Sequence, residues 1–209
     1  NALKRDYKEK TGNSLNSPSA IGISAMMHGY IALDEDDNLL VPFRTWRNTI
    51  TGGASKKLTE LFNYPCPERW SISHYYQAIL NNEAHVPQVD FFTTLAGYAH
   101  FMLTGKKVLG VGDASGMFPI DAETGDYDKS MAGKFDSLVE GKGSAKKLLE
   151  LLPKAIPAGT DAGKLTKEGA LWLDPTGELA EGILCAPPEG DAGTGMVATN
   201  AVAPRTGNI

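Results

Sequence analysis

The stretch Gly182-Ile183-Leu184-Cys185-Ala186-Pro187-Pro188-Glu189-Gly190-Asp191-Ala192-Gly193-Thr194-Gly195 decides how this chain is read. An apolar run leads into a proline pair and a glycine turn, and one carboxylate, Asp191, follows at the mouth of a small-residue helix. A strand ending in such a turn is how an open α/β sheet delivers a side chain to its ligand crevice. Asp191 is short, close to its own backbone, and well placed to accept a proton from a bound hydroxyl. It is equally suited to cap a helix, because Asp is among the preferred N-cap residues. On this stretch alone both readings stand.

Working outward, the segments on either side alternate between strand and helix patterns, which indicates an α/β domain. After a polar, helix-compatible lead, Ala20 to Met27 reads as a buried strand with small residues where something packs closely. Tyr30–Leu33 and Leu39–Val41 flank the acidic turn Asp34-Glu35-Asp36-Asp37-Asn38 as a hairpin, and Phe43 to Trp46 reads as extended. The acidic turn lacks the spaced ligands and distal Glu of a calcium loop, so a solvated turn is the reading. Helices are expected over Gly53–Phe62, with Leu58, Leu61 and Phe62 on one face, and over Ser73–Leu80. Thr94 reads as the cap of a helix from Leu95 to Leu103 that ends at Thr104-Gly105, with Tyr98, Phe101 and Met102 at core spacing. Asp113-Ala114-Ser115-Gly116 reads as a tight turn, Met117–Ile120 as a short strand, and Ala145–Leu152 as a brief helix stopped by Pro153.

Composition narrows the function classes. The 209 residues are 42% hydrophobic and 22% charged, as in an ordinary globular domain. A net charge of −5 with only scattered lysine doublets offers no footprint for nucleic acid. No apolar run approaches the roughly 18 residues of a membrane span, and the first residues lack the apolar core of a signal peptide. Two cysteines, Cys66 and Cys185, are too few for a disulfide framework, so a cytoplasmic location is expected. The chain starts without Met and stops at Thr206-Gly207-Asn208-Ile209, which reads as the entry to another strand. Both ends are therefore expected to be cut.

Several side chains could carry chemistry. Met27-His28-Gly29 follows the first strand directly: an imidazole there can hydrogen-bond a polar ligand, and Gly29 lets backbone approach it. A structural histidine is the competing reading. Trp46, among Arg44, Thr45, Arg47, Asn48 and Thr49, puts an indole beside hydrogen-bonding groups, which suits the C–H face and hydroxyls of a sugar, although a core Trp fits too. The four histidines and two cysteines have no metal-ligand spacing, and there is neither a Gly-x-Ser-x-Gly elbow nor a Walker-type phosphate loop.

Taken in order, five pieces resemble the FGGY family of carbohydrate kinases, most closely its xylulokinase-like members. They are Ile21 to Gly29, ending Met-Met-His-Gly; Trp46-Arg47-Asn48; Leu103-Thr104-Gly105-Lys106; Gly112-Asp113-Ala114-Ser115-Gly116; and the run from Gly163 to Asp191. The resemblance implies a ribonuclease H-like (actin-like ATPase) α/β fold. Residues 1–209 would be most of the N-terminal, sugar-binding domain, incomplete because its first strands, with their Asp-x-Gly-Thr, are missing. The C-terminal nucleotide-binding domain is absent from this chain, so ATP and Mg2+ would be bound mainly by segments that are not here.

By the same resemblance Asp191 is the catalytic general base, Met27 and His28 lie at a sugar-binding position, Trp46 forms the aromatic wall and Arg69 contacts substrate. The implied activity of the parent protein is ATP-dependent phosphorylation of a ketose, xylulose or a related ketopentose, with this fragment alone inactive. Departures from the family pattern are Met26 for Gln, Asn48 for Asp, Ile50 for Arg and Ala192 for Asn or Gln. Each alters a polar group that could discriminate among sugars. The alternative from another class is a non-catalytic sugar-binding or sugar-sensing protein on the same fold. Expected partners are a small-molecule sugar, with no nucleic acid and no membrane. The missing strands would leave an unpaired sheet edge prone to association, so a homodimer is a candidate assembly.

Overall fold

The computed structural model of the chain describes residues 2–201 and 203. Its first half runs α1 (Ala2–Thr11), β1 (Ala20–Ile21), β2 (Ser24–Ala25), β3 (Ile31–Leu33), α2 (Gly52–Phe62), α3 (Ser71–Leu80), β4 (Phe91–Thr93) and α4 (Leu95–Thr104). The second half runs β5 (Val108–Gly110), α5 (Val111–Ala114), α6 (Lys129–Leu138), α7 (Leu148–Leu151), β6 (Lys154–Ile156), α8 (Lys167–Leu173), β7 (Leu184–Cys185), β8 (Glu189–Gly190) and α9 (Asp191–Ala198). The strand entry expected at Thr206-Gly207-Asn208-Ile209 lies outside the described residues.

Pro187 and Pro188 have no N–H to donate, so the segment from Leu184 to Gly190 cannot form an unbroken ladder. It pairs in two parallel pieces, β7 with β1 and β8 with β2. Ala186 N–H donates to Ile21 O at 2.9 Å and Glu189 N–H to Ile23 O at 3.1 Å, which carries the pairing past the prolines. On the other flank Gly110 N–H donates to Pro188 O at 2.8 Å, and β5 pairs in parallel with β6. The Pro188 carbonyl thus still accepts where its nitrogen cannot donate. The expected buried strand over Ala20–Met27 is corrected: it is two short pieces, half-buried to exposed, because this segment follows the broken partner.

The hairpin forms as expected. Leu40 N–H donates to Ala32 O at 2.9 Å, and Asp34 Oδ1 takes the N–H groups of Asp36 and Asn38 to close the acidic turn. Tyr30 and Arg44 then exchange backbone bonds, and β3 pairs antiparallel with β4. The main core lies under this layer, where Tyr30 and Phe92 each stack on Tyr75 and meet each other at a tilt, with Leu58, Phe62, Phe118 and Phe135 around them. A second, smaller cluster of Leu103, Leu165, Ala170, Ile183 and Cys185 supports β7.

Thr94 caps α4 by accepting from Gly97 N–H, and Gly105 ends the helix in the left-handed region, as the sequence pattern requires. Its buried face is Ala96, Gly97, His100 and Leu103, while Met102 is exposed. Of the three residues expected at core spacing, Tyr98 and Phe101 pack half-buried against Ile31, Leu33 and Phe91, and Met102 alone is misplaced; α4 meets β5 through its smallest residues, where a Cβ on Gly97 would overlap Thr93 Oγ1 and touch Leu109. Two further expectations are corrected. Asp113 and Ala114 belong to the short helix α5 rather than a turn, and Met117–Ile120 is not a strand, although Ile120 keeps one bridge to Tyr127.

Candidate functional site

Asp191 is the first residue of α9, with Gly190 extended before it as N-cap. The Asp191 side chain is therefore not the cap. Its Oδ1 accepts from Ala192 N–H at 3.1 Å and from Met27 N–H at 3.2 Å, which ties the helix start to the chain leaving β2. The positive end of the helix favours a carboxylate at this position. A second clasp, Ser24 Oγ to Thr194 Oγ1 at 2.6 Å, joins the same two elements. Gly190 is required by space: a Cβ there would overlap Met27 Cγ and sit 2.9 Å from its sulfur.

His28 and Gly29 both have positive φ, 67° and 86°, so the chain reverses sharply after β2. A non-glycine residue in this region stores of order 1–3 kcal/mol of strain, and such residues cluster at functional sites. A Cβ on Gly29 would lie 2.6 Å from Arg44 O, so the reversal also needs a glycine for room. The imidazole is fixed at both nitrogens. Arg69 Nε can only donate, so His28 Nε2 accepts from it at 3.1 Å, and Nδ1 carries the proton that goes to Gly116 O at 3.1 Å. Burial holds the His28 pKa below its ordinary value and Arg69 adds to this, while the Gly116 bond and Asp191 pull the other way. The ring is neutral, in one tautomer.

Met27, His28, Trp46, Arg69 and Asp191 meet around one cleft of about 340 Å³, completed by Met26 and Ala192. Ligand pockets usually span ~300–1,000 Å³, so the space suits a small molecule. Trp46 is exposed, and the Arg47 guanidinium carbon lies 4.9 Å from its ring centroid, leaving the indole at the cleft as a flat wall. Asn48 turns to its own backbone, accepting from Ile50 N–H at 3.1 Å. A larger cleft of about 450 Å³ lies against Ala20, Gly159–Asp161 and Leu184–Pro187. Its lining has one ionisable carboxylate and no histidine, aromatic or basic group, so size does not make it the better site.

Two groups beneath the cleft were missed by sequence reasoning. Asp113 is fully buried, and its N–H donates to Glu189 Oε2 at 3.0 Å. Asp113 read as part of a tight turn, and only its place in the Asp-Ala-Ser-Gly piece signalled anything more. Among the described residues no group of three or more His, Cys, Asp or Glu could hold a metal ion, and no Walker-type loop is present in the chain. No helix among the described residues is long and apolar enough to cross a membrane.

The model of the N-terminal domain of the FGGY family of carbohydrate kinases matches residues 3–173, so Asp191 lies beyond the matched segment. No curated protein matches the chain in sequence. Among solved structures, a xylulose-type kinase from Brucella ovis is similar at 18% identity and TM-score 0.78, covering 97% of this chain and 40% of that one. A gluconate kinase from Lactobacillus acidophilus is similar at 19% identity and TM-score 0.74, covering 96% and 40%. A glycerol kinase from Plasmodium falciparum is similar at 14% identity and TM-score 0.66, covering 95% and 39%. These likenesses show the fold, a ribonuclease H-like (actin-like ATPase) α/β domain. The chain spans about 40% of the length of the first of these structures.

Proposed function

The chain belongs to the FGGY family of carbohydrate kinases, and from that membership we propose that its cleft holds the sugar in an ATP-dependent phosphoryl transfer. The observation that supports this reading is the arrival of Asp191 beside His28, Trp46 and Arg69 from segments more than a hundred residues apart in sequence. Asp191 is the general base of the proposal. Its Oδ1 is taken by two backbone N–H groups, and Oδ2 remains for the substrate hydroxyl. As the hydroxyl oxygen bonds to the γ-phosphorus of ATP and the bond from that phosphorus to the departing ADP breaks, the hydroxyl proton passes to Asp191.

The sugar-facing residues divide the remaining work. The Trp46 indole stacks on the C–H face of the sugar, and the Arg69 Nη groups donate to its oxygens while Nε stays on His28. His28 acts chiefly by aiming Arg69, since both its nitrogens are committed. ATP and Mg2+ come with the family, and in this reading they are bound mainly by segments outside residues 1–209. The substrate we propose is a ketose, xylulose or a related ketopentose.

The test is Asp191→Asn in the full-length protein, assayed for ATP consumption over ketoses, polyols and sugar acids. Loss of a positioned base removes ~10²–10⁴-fold of turnover, with sugar binding retained. Turnover within a few-fold of wild type would end the assignment of Asp191. Sugar binding without any turnover in the unaltered protein would instead support a sensing role.

A further inference from the structure

Beneath the junction that carries Asp191 lies a carboxyl group to which the proposed transfer gives no role. Asp113 is 0% exposed. Its Oδ2 accepts from Thr94 Oγ1 at 2.7 Å, and its N–H donates to Glu189 Oε2 at 3.0 Å. Its Oδ1 has no hydrogen-bond partner and faces Gly190, where an added Cβ would sit 3.3 Å away. Glu189, in turn, lies against Gly110 and Gly112, where any Cβ would collide with its carboxylate. Asp113 therefore touches the two residues that precede Asp191, one through its backbone and one through its side chain.

We propose that Asp113 is a positioning residue for Asp191: an uncharged buried carboxyl group seated under Gly190 that fixes the turn from β8 into α9. The inference rests on the reading of Asp191 as proton acceptor. A buried carboxylate with one free oxygen would be strongly disfavoured, whereas the acid form buries no charge. Burial pushes the Asp113 carboxyl up to about 7; the Thr94 hydroxyl opposes this, and the Glu189 and Asp191 charges add to it. The titratable groups facing it are Glu189 from β8, Asp191 from α9 and the buried Tyr127 hydroxyl, while β5 offers none and Lys154 on β6 is exposed. The His28 ring reaches the same turn through Gly116 O. When Asp191 takes up the hydroxyl proton, one of the charges holding the proton on Asp113 disappears. The two groups are thus coupled.

The coupling is tested first without catalysis, by following the Asp113 side-chain carbon in the full-length protein by NMR as pH is varied. The expected midpoint is near 7, and it moves to lower pH in Asp191→Asn and to higher pH in Thr94→Val. A midpoint in the ordinary carboxylate range, or one unmoved by Asp191→Asn, overturns the proposal whatever Asp191 does in turnover. The second arm is the pH profile of kcat/KM in the full-length protein. Asp113→Asn, which keeps the acceptor for Thr94 without a titrating proton, is expected to hold kcat within about threefold at pH 6 and to lose the fall in rate above pH 7. Asp113→Ala, which leaves the turn unsupported, is expected to lose on the order of 10²-fold in kcat with little change in KM. Identical profiles for wild type and Asp113→Asn overturn it. Should Asp191→Asn keep its turnover, the base assignment fails while the NMR arm still decides the coupling.

Discussion

His74 sits fully buried in α3 with neither ring nitrogen hydrogen-bonded, and burial lowers its pKa from 6.5 to about 4, helped by Arg44. His28, His85 and His100 are also held below their ordinary value, with burial the leading cause in each. A histidine kept neutral in the fold contributes stability that is complete above its unfolded pKa of 6.5 and is lost as pH falls below it. Asp113 has the opposite sign: its proton-bound form is favoured, so its contribution is complete below the unfolded carboxylate range and is lost as pH rises toward 7. Between about pH 4 and 6.5 the two effects oppose each other. His74→Leu removes one histidine contribution and two orphaned ring nitrogens. The variant is expected to be at least as stable as wild type at pH 7 and to lose up to about 3 kcal/mol less on going to pH 4. Urea unfolding at the two pH values checks this, and an undiminished acid loss in the variant would refute it.

Two glycines in helices show how packing overrides local preference at the level of the element. Gly169 in α8 faces the backbone of α4 so closely that a Cβ would overlap Leu103 O and lie 2.8 Å from Leu103 Cα. Neither backbone can yield, so Gly169→Ala is expected to destabilise by about 1–3 kcal/mol or more. Gly133 in α6 is exposed with open space around it, and Gly133→Ala is expected to stabilise by roughly 0.5–1 kcal/mol. Denaturant titration of both variants is expected to read out opposite signs; stabilisation in both would show that helix propensity alone decides. The same contrast explains what the sequence could reveal. The α4 helix was legible because Thr94 and Gly105 act through bonds to their near neighbours, and the β3 hairpin because Asp34 folds its own turn. The neighbourhood of Asp191, His28 and Trp46 was reached through resemblance. Asp113 was hidden, since its burial is imposed by Glu189 and Gly190, more than seventy residues away, and its own neighbours spell a turn. Which face of α4 is buried was hidden for the same reason: Thr93 and Leu109, not helix periodicity, select Gly97.

Across the whole molecule, the cleft is divided between two hydrophobic clusters. Tyr30 and Ile72, close in sequence to His28 and Arg69, belong to the large one, whereas the segment leading to Asp191 contributes Ile183 and Cys185 to the small one, with Leu103, Leu165 and Ala170. The small cluster has few buried side chains, and its outer side carries exposed Leu171, Trp172 and Leu184. It also receives the N-terminal helix: α1 buries no residue of its own, and Lys4 Nζ reaches Asp174 at 2.9 Å and the Glu178 carboxylate. Regions with little buried apolar surface open at lower free energy than the main core. Residues 163–185 are therefore expected to exchange their amide hydrogens through a partial opening that leaves α3 and β4 protected. Leu165→Ala removes a buried side chain from this cluster and is expected to lower the opening free energy by about 2–5 kcal/mol. The increase in exchange should be confined to α1, the end of α4, α8 and β7. If exchange rises equally in α3 and β4, the two walls of the cleft belong to one cooperative unit, and Asp191 cannot move relative to Trp46 without unfolding the protein.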